Sequence, residues 1–287
     1  MEVVASGISD LGLQREGNED AFFIEDSLGL YVVADGMGGH LAGEVASQVA
    51  VEMIKKSFQR WTEEDLAEDE LFGYPDRSLS KQGNYLLASI RLANRVVYEM
   101  ALEYEQYHGM GTTIVALSVS PDRIVAANVG DSRIYMIRAG RIERLSKDHT
   151  IVAEQIDMGT LKEEEAASSP LKHILTRNLG SSNHVDVEIF EIQPSQNARF
   201  ILCTDGLTDL VGDKEILEVT RKGDQPDKIC RKLVDLALKR GAPDNTTVVA
   251  VSVEGVVEAS TQPLQKAGFL LAKALGSLQK IVGKRGS

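Results

Sequence analysis

Among the residues of this chain, the aspartates are placed as if to do chemistry together. Three apolar runs each end in an aspartate followed by a small residue: GLYVVAD at Asp35-Gly36, RIVAANVGD at Asp131-Ser132 and ARFILCTD at Asp205-Gly206. Asp244 stands in PDN just before the last apolar run, and Asn18-Glu19-Asp20 adds two carboxylates near the start. A carboxylate at the end of an apolar strand is costly unless it is paired or bound to a metal. Strand ends that converge on one edge would bring like charges together, and these cannot all stay ionised without a compensating cation. Hard oxygen donors suit Mg2+ or Mn2+. Gly36 and Gly206 let the backbone pass close to such ions and offer a carbonyl. Singly, each Asp-Gly also reads as a turn or a helix N-cap. What distinguishes the group is that every member ends a core strand or precedes one, and that Arg133 is its one basic neighbour.

The elements that must position these residues are legible as patterns. Residues 2–9 and 21–24 read as short strands, and the GLYVVAD strand stops at a glycine-rich loop, DGMGGH. A helix follows from about Gly43, with Val45, Val49 and Ile54 on one face; a second covers 85–106, with Leu86, Ile90, Ala93 and Val97 on its apolar side. Between them, residues 62–84 are polar and acidic, either an ordered insertion or a flexible loop. TTIVALSV, RIVAANVG and RIYMIRAG–RIERLS are rich in β-branched residues and read as strands, the last with a hairpin turn at Ala139-Gly140. Residues 148–182 are irregular, with a helical stretch near 152–168. VDVEIFEI, ARFILCTD and TTVVAVSV are strands again, and 213–221 and 226–240 are helical. Strands interspersed with paired helices predict antiparallel sheets covered by helices rather than strict βαβ alternation.

The 287 residues carry a net charge of −12, which argues against a nucleic-acid-binding body. The imbalance is uneven. The segment from Ala259 onward has no acidic residue and five basic ones, Lys266, Lys273, Lys280, Lys284 and Arg285; removing these from 31 leaves 26 basic against 43 acidic residues, a body of −17. No run is apolar for about 18 residues, so no transmembrane helix is expected, and no signal peptide is legible. Cys203 and Cys230 have no metal-ligand spacing; a buried, reduced thiol is expected at Cys203, which points to a reducing compartment such as cytoplasm.

The same acidic residues lie in a series of motifs. RxxNED (Arg15, Asn18, Glu19, Asp20), DGMGGHxxGExAS (Asp35–Ser47), GMGTT (Gly109–Thr113), VGDSRIY (Val129–Tyr135), LTRNLG (Leu175–Gly180), TDGLTD (Thr204–Asp209) and DNTT (Asp244–Thr247) follow in one order. Together they closely resemble the PPM family, the type-2C metal-dependent serine/threonine protein phosphatases, in its bacterial form, over about residues 6–253. The resemblance implies an α+β fold: a central β-sandwich of two antiparallel sheets flanked by helix pairs in four layers, with a flap over about 148–182. It implies a catalytic domain over 1–256 and two Mn2+ or Mg2+ ions at one edge, with a weaker third. Carried over by position, Asp35 bridges the two ions, Gly36 binds through its carbonyl, and Asp205 and Asp244 complete the shell. Glu19 acts through metal-bound water with Asp20 beside it. Asp131, Asp205 and Asp209 match the third site, and Arg15 matches the phosphate-binding arginine. A metal-activated water then attacks phosphorus in line, without a covalent intermediate. In eukaryotic members a histidine follows Asp-Gly; here that residue is Met37, and His40 is the nearest candidate acid, set against an ordering role in its loop. His149 and His173 are expected on the surface or the flap.

The implied function is dephosphorylation of proteins opposite a bacterial serine/threonine kinase, by a monomer. A non-catalytic phosphoprotein-binding scaffold would show lost ligands; a phosphatase dedicated to one anti-sigma-antagonist regulator would carry a sensor domain. The tail, 257–287, has its own pattern. Leu264, Ala267, Leu271, Ala274, Leu278 and Ile281 line one helical stripe, with Lys266, Lys273 and Lys280 on another. It reads as an amphipathic helix that docks on the acidic body, lies in an anionic membrane surface or contacts a partner protein.

Overall fold

A strand covered on both faces is apolar along most of its length, and the central strands follow this, with single polar residues such as Ser118 and Asn128. A computed structural model describes residues 1–255 apart from 40, 167, 168 and 222; the tail and His40 lie outside the described residues. One sheet has the order β1-β11-β10-β7-β8, with β1 Glu2–Asp10, β7 Arg133–Arg138, β8 Arg141–Arg144, β10 Ala198–Cys203 and β11 Thr246–Glu254. The other has the order β2-β3-β5-β6-β9, with β2 Asp20–Glu25, β3 Leu30–Met37, β5 Ile114–Val119, β6 Ile124–Val129 and β9 Glu188–Ile192. The short β4, Gly111–Thr112, pairs with the end of β3. All neighbours in both sheets are antiparallel.

Alternation along each strand sorts its side chains into layers. Tyr31 and Val33 of β3 meet Phe200 and Leu202 of β10 and Val249 and Val251 of β11 between the sheets. Leu30, Val32 and Ala34 point the other way, onto α1 (Leu41–Glu63) and α2 (Lys81–Glu103). Ile201 and Cys203 of β10 face outward onto α6 (Asp213–Thr220) and α7 (Pro226–Lys239). The layers are thus helices, sheet, sheet, helices, the expected four-layer α+β sandwich. Each fully buried Val, Leu or Phe contributes about 1.5–3 kcal/mol relative to exposure.

One helix face differs from the periodicity. The buried face of α1 centres on Ala46, Ala50, Ile54 and Phe58, while Val45 and Val49 are only partly covered. Small residues on that face let α1 lie close to its neighbours. Of the 62–84 stretch, the ends belong to α1 and α2, and the connection between them, residues 64–80, is ordered: Tyr85 Oη donates to the Leu66 carbonyl, Asn84 exchanges two hydrogen bonds with the Asp76 backbone, and Glu191 accepts from Ser80, the N-cap of α2. The Ala139-Gly140 hairpin has positive φ at both residues, 49° and 72°, as a two-residue primed turn requires.

This topology gathers the strand ends. In an antiparallel pair the end of one strand lies beside the start of its neighbour. Asp20, opening β2, is therefore directly opposite Asp35 near the end of β3. β3 and β6 both pair antiparallel with β5 and run the same way, so Asp131, just past β6, reaches the same edge. In the other sheet, β10 ends beside the start of β11, which puts Asp205 near Asp244.

Candidate metal centre

The cleft at that edge, of about 490 Å³, is lined by Arg15, Glu19, Asp35, Asp131, Asp205 and Asp244, together with Gly36, His173 and Asn245. Asp20 lies behind them and is buried. Its Oδ2 accepts from Thr247 Oγ1 at 2.7 Å and from Thr204 Oγ1 at 3.0 Å. Its Oδ1 is buried and has no hydrogen-bond partner among the described residues. Burial, offset in part by those two hydroxyls, pushes the Asp20 pKa up to about 7. Burial and the charges of Asp20, Asp205, Asp131 and Asp244 raise that of Asp35 well above the carboxylate range. Burial, with Asp205 and Asp148 nearby, lifts Asp131 to about 7.

The backbone is held as firmly as the charges are left uncompensated. The Asp35 N–H donates to Thr113 Oγ1 at 3.0 Å, and Thr113 is tied to Ser132 at 2.7 Å; Thr112 Oγ1 donates to the Asp35 carbonyl at 2.8 Å. Asn245 accepts from the Glu19 N–H at 2.8 Å and donates to the carbonyls of Leu11 and Gly17, which fixes the loop carrying Arg15 and Glu19. Two glycines are required by close approach. A Cβ on Gly36 would lie 2.1 Å from the Gly43 carbonyl oxygen, and one on Gly206 would lie 1.9 Å from that of Asn245.

The remaining candidates divide. Arg15 donates to Asp244 Oδ2 at 2.7 Å, a contact that raises its already high pKa. Asp209 stands at the end of the short helix α5, Asp205–Thr208, on the rim of the cleft's neighbouring cavity. Against the cost of partial burial, His173 and Lys172 hold its pKa low. Arg133, the neighbour of Asp131 in sequence, turns away from it. Its guanidinium grips Asp148 with Nε at 3.0 Å and Nη2 at 2.7 Å and also reaches Tyr135 Oη.

Two histidines of the 148–182 segment are placed more closely than the sequence indicated. His149 is buried, and its Nδ1 accepts the Gly130 N–H at 3.0 Å. His173 is on the 148–182 segment, as expected, but it faces the acidic edge. Its Nδ1 is 3.2 Å from Asp205 Oδ2 and its Nε2 3.2 Å from Asp209 Oδ2, and these two carboxylates push its pKa up to about 10. The helical stretch in this segment is two short helices, α3 Ile151–Asp157 and α4 Glu163–Ala166. The residues missed from sequence are the supports: Thr113, Ser132, Thr204, Thr247 and Asn245. Their types in GMGTT, VGDSRIY, TDGLTD and DNTT were the available signal.

A cluster of partly buried carboxylates with raised pKa values and an orphaned buried oxygen fits hard divalent cations. Such an ion would offset the repulsion, and its waters would give Asp20 Oδ1 a partner. Carboxylates from four separate strand ends line this cleft.

The profile of a family described as protein phosphatase 2C matches residues 14–227. The serine/threonine protein phosphatase PstP of Mycobacterium tuberculosis is 34% identical over 256 residues, 89% of this chain, which spans 46% of that relative's length. The serine/threonine phosphatase stp of Listeria monocytogenes is 32% identical over 246 residues, 85% of this chain and 93% of that one. A crystal structure of Mycobacterium tuberculosis PstP superposes with a TM-score of 0.77 at 32% identity, covering 89% of this chain and 100% of that one. A PstP catalytic domain solved with two manganese ions gives a TM-score of 0.74 at 31% identity, over 88% and 99% of the two chains.

Proposed function

The chain belongs to the protein phosphatase 2C family, and from that premise we propose that it hydrolyses phosphoserine and phosphothreonine on proteins, with Mn2+ or Mg2+ held by its carboxylate edge. The observation that carries this reading is the convergence of Asp35, Asp131, Asp205 and Asp244 on one cleft whose lining, among the described residues, has only Arg15 and His173 as basic side chains. Bound there, the ions supply a strongly acidified water and positive charge toward the phosphoryl oxygens. Asp35, Asp205, Asp244 and the Gly36 carbonyl would hold two ions, and Asp131, Asp205 and Asp209 a third. Glu19 and Asp20 orient solvent from behind. Arg15 is about half exposed, so it can turn from Asp244 to a phosphoryl group and grip it with forked donors. Met37 cannot give the leaving group a proton. His40, the other candidate acid, lies outside the described residues.

The scaffold alternative requires lost ligands, and every candidate carboxylate faces or backs the cleft or its rim. The finer proposals are a cognate kinase, a monomer and a cytoplasmic setting. Cys203 and Cys230 are both free and buried, which supports a reducing compartment. Among the described residues no helix is long and apolar enough to cross a membrane. The tail's contact, with the body, an anionic membrane or a partner, is proposed from sequence alone. The purified protein should release phosphate from a phosphothreonine peptide with Mn2+ and stop when chelator is in excess. Binding of the peptide without phosphate release would favour the scaffold.

A further inference from the structure

The end of the sandwich away from the acidic edge carries a hollow of the reverse charge. β10 starts there and β11 finishes there, while their other ends lead to Asp205 and Asp244. The length of β10, roughly 20 Å, separates Arg199 from Asp205. The hollow, of about 320 Å³, is lined by Arg138, Arg199 and Arg221, with Glu254 as its one acid among the described residues. Its floor is a row across the outer face of the sheet. Ser252 of β11, Arg199 of β10 and Ile137 of β7 are neighbours in register. They stand two residues along from Ala250, Ile201 and Tyr135, which pack under α6 and α7. α6 stops at Thr220, and Thr220 and Arg221 form one wall. The polar groups of this lining are short of partners. Arg199 donates from Nη1 to the Thr220 carbonyl, a contact that uses a single one of the guanidinium donors. Arg138 and Arg221 are exposed and have no hydrogen-bond or ion-pair partner among the described residues. Ser252 is only 7% exposed, and its hydroxyl has no partner among the described residues either. A hydroxyl so little exposed is costly to leave unbonded.

We propose that this hollow binds a phosphate dianion, free or carried by a small molecule, at a site separate from the acidic cleft. The charge fits. Three arginines against one glutamate leave the lining two positive charges in excess, and a phosphate monoester near neutral pH carries about −1.5 to −2. The donors fit as well. A carboxylate brings two oxygens and a single charge. A phosphate brings three terminal oxygens, enough for guanidinium forks from β7, β10 and the end of α6 and for the Ser252 hydroxyl between them. The volume is in the range of small-ligand sites, so an organic group of sugar or nucleoside size has room beside the phosphate. Glu254 alone cannot hold a pair of divalent ions, so the ligand is bound here and not cleaved. The proposal does not rest on the metal reading, which concerns the other end of β10 and β11.

The test is hydrogen exchange read by mass spectrometry on the full chain with Mg2+, titrated with inorganic phosphate, with AMP or with a glutamate-rich peptide. The turns at Ala139-Gly140, Asn197 and Gly223 line the hollow and report on it. Inorganic phosphate and AMP are both expected to slow exchange there. Equal affinity for the two would identify free phosphate as the ligand, and tighter binding of AMP a monoester. In Arg138→Gln/Arg221→Gln, whose side chains have no partner to lose, affinity at the turns should fall about tenfold or more, the worth of a charge-assisted hydrogen bond. Ser252→Ala should weaken binding about two- to tenfold and leave the ligand-free protein as stable as the wild type. Protection confined to the acidic cleft would overturn this site and leave the metal reading standing. Protection at the turns that survives both variants unchanged would place the ligand elsewhere and overturn it too. Protection by the glutamate-rich peptide alone would make the hollow a groove for acidic protein segments and overturn the phosphate assignment.

Discussion

Asp131 and Arg133 are two residues apart, yet they belong to charged clusters of opposite design. On the Arg133 side the protein balances its own charge. The guanidinium holds Asp148 with two hydrogen bonds, and Arg144 adds a contact of 3.3 Å to the same carboxylate. Nearby, Tyr135 Oη donates to Asp213. On the Asp131 side carboxylates crowd together, burial raises the pKa values of Asp20, Asp35 and Asp131, and one buried oxygen of Asp20 has no partner among the described residues. The fold can supply a fork-on-carboxylate pair where it needs one. Among the described residues the neighbouring edge holds more carboxylates than cations, which fits charge supplied by bound divalent ions. One cluster holds the base of the 148–182 segment to the sheet; the other keeps binding energy in reserve for ions and substrate.

The difference can be broken most severely at Asp35. Asp35→Asn removes the carboxylate that faces the whole cluster and should lower Mn2+-dependent release of phosphate from a phosphopeptide by about 10³-fold or more, an electrostatic loss in the transition state. Steady-state kinetics on folded protein checks this; near-normal turnover would place the chemistry elsewhere. The matching cut in the balanced cluster is Arg133→Met. It leaves Asp148, which is 14% exposed, without its main partner and should cost about 3 kcal/mol of unfolding free energy in urea. Activity at saturating Mn2+ should fall far less than for Asp35→Asn. If Arg133→Met is as stable as wild type, the pair is not structural.

Arg15 tests the comparison from the substrate side. Removing Arg15 should raise KM for a phosphopeptide about tenfold, and Arg15→Lys should not restore it, since a point charge cannot copy the fork. An unchanged KM in Arg15→Ala would confine the arginine to its pair with Asp244. The smallest effect is the pH dependence of the metal-free protein. Burial raises the folded-state pKa values of Asp20 and Asp131 to about 7 from the ordinary 3.8. Their folded forms bind protons more tightly than the unfolded chain, so this contribution to stability is complete below about pH 4 and is lost as pH rises toward about 7. Chelator-stripped wild type should lose stability over that window relative to Asp20→Asn, and parallel profiles for the two would contradict the raised pKa.

How far these clusters were legible in the sequence depended on how local their cause is. Mostly apolar strands announce burial on both faces, and an aspartate closing such a strand announces a site, so antiparallel sheets covered by helices and their acidic edge could be read from the pattern, while the two-sheet sandwich came with the family resemblance. The motif order added which carboxylate would do what. Partners distant in sequence could not be read. Arg133 sits beside Asp131 in the chain but turns to Asp148, because the β7–β8 hairpin brings that residue back. His173 joins Asp205 only because its segment folds over the edge, and no periodicity encodes that return. His149 is polar in a polar stretch, and its burial follows from the Gly130 N–H it accepts. The Val45–Val49 stripe misplaced the buried face of α1, because close packing favoured Ala46 and Ala50 over larger neighbours.

The central claim is that the acidic edge is a charge deficit completed by divalent ions. Its most direct test is urea unfolding of wild type and Asp35→Asn, each with chelator and with Mn2+. The account predicts a crossing. Without metal, Asp35→Asn is the more stable, because a repelled carboxylate has been neutralised. With Mn2+ the wild type is the more stable, because ions that bind only the folded state stabilise it by about 2.7 kcal/mol at a hundredfold excess over Kd. If Asp35→Asn is the less stable in both buffers, or if Mn2+ shifts neither protein, the edge is not a metal centre and the account is wrong.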